Sequence, residues 1–386
     1  MNLTLRNQNA DETSLARFLL YFLRLGTFGF GGPIALASRM ESDLVRDRNW
    51  ISQDDYLEGL ALAQLAPGPL AAQLAMYLGY VKAGIPGATL VGFVFILPSF
   101  LMVLAISALY VRFDGLPQLQ AVFYGIGAAV VAIILRSATK LGKSTLKREP
   151  VLWSIAAVLC VSTAVTGREI FWLFLLGGFF AVALKAQHQE RRVALCIAPP
   201  IFASFTWLGT KHVEILTFFL KSSLFVFGSG LAIVPFLHGG VVDTHHWLNE
   251  RQFLDAIAVA MITPGPVVIT VAFIGYLADG LPGALLAAIG VFLPVYLMVT
   301  VCAPFYRRLS ASLSVQAFVK GVTAAATGAI AGAIVIIGRH SIHDIPTLII
   351  FALTAMTLWR WKIPEPIIVL ASGAVGLLIF GLPILK

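Results

Sequence analysis

The residues best equipped for chemistry form a triplet that occurs twice, Pro67-Gly68-Pro69 and Pro264-Gly265-Pro266. Proline removes a backbone donor and clashes with the preceding turn. Glycine leaves helical geometry at no steric cost, so no helix runs unbroken through either triplet. A glycine cluster precedes each one: Gly29-Phe30-Gly31-Gly32-Pro33 before the first and Phe227-Gly228-Ser229-Gly230 before the second. A helix that restarts after such a break presents unpaired N–H groups and the positive end of its dipole, an arrangement that binds anions. Pro69 and Pro266 stand where a restarting helix favours proline, in its first turn. Close helix packing would use the same glycines and a static kink the same prolines. Repetition in register favours binding.

Charged residues repeat as well. Arg24 and Lys221 lie seven residues before Gly31 and Gly228, inside apolar stretches. A cation within a membrane segment costs roughly 2.5–3.5 kcal/mol on insertion scales and marks function unless it snorkels to an interface. Two cations converging on one site would suit a divalent oxyanion. Glu58 and Asp255 lie nine residues before Pro67 and Pro264. A buried carboxylate there could carry a coupling proton, whereas a solvated one in a first helical turn would only complement the dipole. Gln64 and Ala66 on the first copy face Met261 and Thr263 on the second, so the copies are not chemically equivalent. His238, His245 and His246 read as interfacial, with no carboxylate or cysteine pattern to make them a metal cluster. Neither a metal nor a cofactor is expected.

The elements that must hold these residues are membrane helices. The chain is 59% hydrophobic and 12% charged, against about 25% charged for soluble domains. Its mean hydropathy is +0.89. A net charge of +8 does not indicate nucleic acid, because the basic residues sit mostly in short loops between apolar runs. Cys160, Cys196 and Cys302 form no paired motif. The expected class is an all-α polytopic membrane protein with about 13 transmembrane segments. They run near 17–38, 56–81, 86–111, 117–139, 151–166, 169–185, 193–209, 215–238, 253–277, 282–305, 316–338, 345–359 and 365–384, each tested against the ~20 residues a bilayer core requires. The segments at 17–38, 56–81, 215–238 and 253–277 carry the Gly and Pro breaks.

Repetition organises these segments. Phe30-Gly31, Trp50 and the first triplet recur at identical spacing as Phe227-Gly228, Trp247 and the second. Gly79-Tyr80 matches Gly275-Tyr276, Leu97-Pro98 matches Leu293-Pro294, and Gly125 matches Gly321. A duplicated membrane unit with broken helices points to a transporter whose site lies at the repeat interface. The units are 1–185 and 215–386, joined by a linker at 186–214 with an additional segment at 193–209. That segment is short and contains Pro199-Pro200. If the face carrying Lys140, Lys143, Lys147 and Arg148 is cytoplasmic, a spanning 193–209 also places the Arg307-Arg308 and Arg360/Lys362 loops inside. Without it both fall outside, so the positive-inside rule favours inverted repeats, a cytoplasmic N-terminus and an external C-terminus. Trp50 and Trp247 fit interfacial anchoring.

Absent motifs narrow the function. Without GxxxxGK[ST], HExxH or GxSxG, neither ATP-driven transport by this chain alone nor an intramembrane hydrolase is indicated. The stretch Phe22-Leu23-Arg24-Leu25-Gly26-Thr27-Phe28-Gly29-Phe30-Gly31-Gly32-Pro33, with Gln64-Leu65-Ala66-Pro67-Gly68-Pro69 and their counterparts in the second half, resembles the long, two-domain form of the chromate ion transporter (CHR) family. The resemblance covers nearly the whole chain. It implies a multi-pass protein of the bacterial inner membrane that exports chromate and confers resistance, with two homologous halves in opposite orientation. The full FGGP is present only once, since Gly230-Leu231 replaces Pro33-Ile34. The expected partners are the bilayer and chromate or a sulfate-like oxyanion, with proton-motive force as the drive and a homodimer as one assembly to test. Sulfate transport, a lipid-phosphate flippase and a membrane enzyme acting on anionic headgroups are the alternatives. A flippase or an enzyme would use the same positive helix ends, but no nucleophile is recognisable.

Overall fold

The computed structural model describes residues 14–30, 32–113, 117–166, 171–186, 210–224, 226, 233–303, 312–361 and 363–381. Among them are fourteen α-helices and no strand, as a bilayer demands of a chain that must satisfy its backbone internally. The first copy supplies α1 (Leu15–Phe28), α2 (Gly32–Met40), α3 (Gln53–Leu65), α4 (Leu70–Phe113), α5 (Pro117–Thr145), α6 (Pro150–Thr166) and α7 (Phe171–Ala186). The second supplies α8 (Thr210–Ser223), α9 (Val234–His238), α10 (Glu250–Ile262), α11 (Thr270–Cys302), α12 (Leu313–Ser341), α13 (Ile345–Arg360) and α14 (Glu365–Gly381). π-helical turns, Glu41–Asp47 and Gly239–Thr244, extend α2 and α9. Leu70–Phe113, Gln120–Thr145, Val267–Val301 and Leu313–Ser341 are long and apolar enough to cross a membrane, and shorter apolar helices accompany them. The expected segment 193–209, most of the linker 186–214 and the Arg307-Arg308 loop lie outside the described residues.

The segments are discontinuous at the triplets, as their Gly and Pro content leads one to expect. In 56–81 the break reverses the chain instead of kinking it. Gly59 on α3 packs against the Tyr77 ring on α4, leaving no room for a Cβ. Eighteen residues of continuous helix would set those positions about 27 Å apart, so α3 and the first arm of α4 lie side by side as a hairpin. Segment 17–38 does the same. The Phe18 ring lies 6.3 Å from Trp50, and the Arg48 guanidinium covers Tyr21 at 5.2 Å, which lays the α2 extension back along α1. In the second copy Phe218 on α8 meets Trp247 at 5.4 Å. Each arm is short: α1 has 14 residues and α3 13, about 20 Å of helix against a ~30 Å core. Trp50 and Trp247, expected as interfacial anchors, are half-buried against their own hairpins.

A second reversal follows each hairpin. α4 turns sharply at Ala83-Gly84 and α11 at Asp279-Gly280, where Gly84 has φ +62 and Gly280 φ +61. Nothing would obstruct a Cβ at either glycine, so backbone conformation alone requires them. Gly79 against Gly87, and Gly275 against Gly283, then allow the two arms of each helix to touch.

The copies interlock. α5 packs on α13 and α14, while α12 packs on α6 and α7. Gly125 closes on α14 at Ser372 and Gly376, and its counterpart Gly321 closes on α7 at Gly177 and Ala181, so small residues set the approach as membrane packing requires. Tyr124 Oη donates to Asp344 at the start of α13. Lys320, the residue matching Tyr124, reaches Glu149 just before α6 at 3.4 Å. The start of α5 thus meets the chain beyond the end of α12, and the start of α12 meets the chain beyond the end of α5. The fully buried Phe22, Phe95, Phe219 and Phe273 lie in the shared core.

Candidate functional site

The hairpin tips of the two copies meet and bond reciprocally. Gly29 caps α1, its N–H donating to Leu25 O at 2.8 Å, and α2 restarts at Gly32 with φ +75. α3 ends at Ala66, and Gly68 carries φ +132 before α4 restarts at Leu70. α10 ends at Thr263, whose Oγ1 donates to Val259 O at 3.0 Å, and Gly265 has φ +93. Gly68 N–H donates to Val226 O at 2.6 Å, and Gly265 N–H donates to Gly29 O at 2.8 Å. Val226 stands to the second copy as Gly29 stands to the first, so the two bonds are equivalent. Each triplet glycine is also closed in: Gly68 by Gln73 and Val295, Gly265 by Ser99. Ser99 Oγ donates onward to Gly26 O at 3.2 Å, and Ser223 Oγ to Val291 O at 2.8 Å.

A cavity of about 860 Å³ borders these tips. One side is formed by Phe30, Gly32, Pro33, Ile34, Gln64, Leu65, Leu70 and Val267. The N-terminal ends of α2, α4 and the 3-10 turn Val267–Ile269 therefore face the same space. The starts of α2 and α4 each contribute roughly half a positive charge. The other side carries Arg136, Lys140, Lys147 and Lys320 with Gln316, Thr323 and a single carboxylate, Glu365. Glu365 lies within electrostatic reach of Arg136 and Lys140. Among the described lining residues four cations, one of them (Lys320) shared with Glu149, outnumber the carboxylate of Glu365 opposite convergent helix starts, so the space attracts an anion and supplies hydrogen bonds to it.

Not every expected residue lies there. Phe30, Gly32, Pro33 and Gln64 line the cavity, and Gly29, Pro67, Gly68, Pro69, Thr263, Pro264, Gly265 and Pro266 form the turns beneath it. Gly31, Phe227, Gly228, Ser229 and Gly230 lie outside the described residues. Arg24 and Lys221 are exposed on α1 and α8 and are not among the lining residues. Among the described residues the cations that line the cavity are Arg136, Lys140, Lys147 and Lys320. Arg136 and Lys140 lie one turn apart near the end of α5; Lys140 reads in sequence only as a topology marker, and Arg136 is not singled out there. Gln73 was also missed. It is 1% exposed, and its Nε2 donates to Pro67 O at 2.6 Å and Ala66 O at 3.3 Å. Thr270, equally placed after the second triplet, bonds Val267 O at 2.7 Å.

A second cavity of about 340 Å³ is lined by the start of α5, the start of α10 and the end of α12. Asp255 borders it, only 2% exposed, accepting a hydrogen bond from Tyr110 Oη at 2.6 Å with Arg251 Nε at 3.9 Å. The Tyr110 ring packs on Phe123 and Phe273. Asp255 is thus no solvated helix-start acid, while its counterpart Glu58 is half-buried and lines neither cavity. The histidine reading needs correction as well. His238 is 3% exposed, and carboxylates flank it, Asp243 and Glu250. The π-helical turn brings Asp243 back to the ring, and the sequence showed no sign of that turn.

Comparison with known proteins agrees with this architecture. The profile described as Chromate transporter matches residues 16–182 and again 213–377. The chain is 53% identical over 382 residues to a chromate transport protein of Cupriavidus metallidurans, covering 97% of this chain and 95% of the relative. It is 48% identical to a probable chromate transport protein of Synechococcus elongatus, covering 95% and 96%. A chromate transport protein of Pseudomonas aeruginosa is 33% identical, covering 93% and 91%. No solved structure matches.

Proposed function

The chain belongs to the chromate transporter family, and from that premise we propose that it is a secondary transporter carrying chromate out of the cytoplasm across a bacterial inner membrane, so conferring resistance. The observation that carries this reading is the cavity where three helix starts face Arg136, Lys140, Lys147 and Lys320. Moving a dianion out of water is costly unless hydrogen bonds and opposite charge replace its hydration, and this space offers both.

The repeats are inverted in this reading. The Tyr124–Asp344 and Lys320–Glu149 contacts support it, because each joins the start of one copy's long helix to the chain past the end of the other's. So does the bond between Thr89 and Tyr296, on non-equivalent positions of α4 and α11, which suits antiparallel packing. The four hairpins then enter in pairs from opposite faces, and their tips meet near the midplane. The units 1–185 and 215–386 are the two rocking elements. Gly29, Gly32, Gly68 and Gly265, with Pro33, Pro67, Pro69, Pro264 and Pro266, form the substrate turns. Arg24 and Lys221 act at the hairpin flanks and not on the bound ion.

The large cavity opens to the lysine-rich face, cytoplasmic by the positive-inside rule. Asp255 and Tyr110 close the opposite path. An ionised Asp255 repels the departing dianion. A proton arriving from outside neutralises the carboxylate and lowers that barrier, so proton entry is exchanged for chromate exit. The test is chromate uptake into everted membrane vesicles. The proposal requires accumulation that collapses with the pH gradient. Accumulation unaffected by an uncoupler would remove proton coupling, and no accumulation above vesicles lacking the protein would remove chromate export.

A further inference from the structure

We propose that His238, Asp243 and Glu250 form a binding site for a divalent transition-metal cation of the zinc class, outside the anion cavity and on the second copy alone. His238 Nε2 lies 2.9 Å from both carboxylate oxygens of Glu250, and its Nδ1 lies 3.5 Å from Asp243 Oδ2. One ligand atom from each of the three residues falls within 4.8 Å of the others. The imidazole is buried, and its ring is fixed edge-on to Phe253 at 5.2 Å.

The duplication supplies a built-in comparison. The equivalent positions in the first copy are Glu41, Arg46 and Gln53. There Arg46 binds Glu41 at 2.8 Å and Gln53 bonds the same carboxylate, so the cluster is neutral. Both clusters close the same joint, where the π-helical turn meets the next hairpin. In the second copy a carboxylate, Asp243, stands where the first copy has the guanidinium. The second cluster thus gathers two carboxylates about one buried imidazole, with no guanidinium among them. Arg251 next door is turned to Asp255, and His340 Nδ1 lies 3.8 Å from Glu250 Oε1. The first copy has its cation built in as the Arg46 guanidinium, and the second has a carboxylate in that place.

The ligand chemistry fits. Imidazole nitrogen with carboxylate oxygen suits zinc and similar ions at about 2.0–2.2 Å from each ligand. Nε2 and the Glu250 carboxylate are the two protein ligands, water completes the coordination, and Asp243 accepts the Nδ1 proton, which fixes the tautomer of a metal-bound histidine. His340 lies beside the same Glu250 oxygen.

The test is equilibrium dialysis of the purified full-length protein in detergent against zinc, with thermal unfolding followed in parallel. The proposal expects one saturable zinc per chain and a raised midpoint of unfolding. Binding should be lost in Glu250→Gln and His238→Ala and retained in Glu41→Gln, the matching change in the first copy. Asp243→Asn should weaken binding about 10–100-fold at unchanged stoichiometry, as expected for a residue that orients a ligand. Absence of saturable zinc on the folded wild type would overturn the site, as would equal binding by wild type and Glu250→Gln. So would a midpoint that responds to acid but not to zinc, because a protonated histidine would then be the cation that closes the cluster.

Discussion

Replacing Gly68 by alanine separates the role of the tip from that of backbone strain, because the structure contains its own control. Gly68 (φ +132) and Gly84 (φ +62) both hold conformations that an L-residue resists, at about 1–3 kcal/mol for a backbone forced outside its usual regions. A Cβ at Gly84 meets nothing within 4 Å, so strain is its whole cost. At Gly68 the Cβ would lie 2.7 Å from both Gln73 Nε2 and Val295 Cγ2. Relief of that contact must move the turn and loosen the 2.6 Å bond to Val226 O, worth about 0.5–1.5 kcal/mol net. It also re-aims the start of α4, whose dipole contributes another ~0.3–1 kcal/mol. Gly68→Ala should therefore lose about 0.5–1.5 kcal/mol of stability beyond the shared strain and about 0.3–1 kcal/mol of substrate stabilisation, or roughly 2–5-fold in transport at low chromate. Gly84→Ala should lower thermal stability through strain alone and leave transport per folded molecule unchanged. The assay is chromate uptake into everted vesicles, normalised to protein that remains monodisperse in detergent. Equal transport by the two variants at equal folded protein would refute the placement of the tip at the substrate.

Further consequences follow from the same geometry. Arg136→Gln and Lys320→Gln should each weaken chromate affinity several-fold, more at low ionic strength, whereas Arg24→Ala should change it less; uptake across a chromate concentration series separates them. Asp255→Asn should leave chromate binding intact and abolish the response of transport to a pH gradient, read by comparing gradient-driven uptake with exchange at equilibrium. The Tyr124–Asp344 contact predicts a fold effect. Burial raises the Asp344 carboxyl's pKa, but hydrogen bonds from Thr347 and Tyr124 outweigh it and hold the group below its ordinary value. Its contribution is thus present above about pH 4 and lost only as acid protonates the folded carboxylate. Asp344→Asn should lower the unfolding midpoint at pH 7 and converge with wild type under strong acid.

The breaks and their pairing were legible in sequence because Gly and Pro act locally. Their direction was not. A Pro-Gly-Pro triplet states that a helix stops, and only the packing of Gly59 on Tyr77 states that the chain turns back. Hydropathy reads two apolar arms and one apolar rod alike. Arg24 and Lys221 drew attention because they precede the motif in the chain, but α5 and α12 carry the cavity's cations from far away in sequence. Burial of Asp255 depends on Tyr110, 145 residues distant, and nothing local to Asp255 distinguishes it from Glu58.

The most direct test of the account is chromate flux in proteoliposomes containing only this protein, wild type against a variant in which Arg136, Lys140 and Lys320 are all glutamine. The account predicts saturable movement of chemically unaltered chromate by wild type, and loss of that movement in the variant although it remains folded. Undiminished flux in the folded triple variant would contradict it.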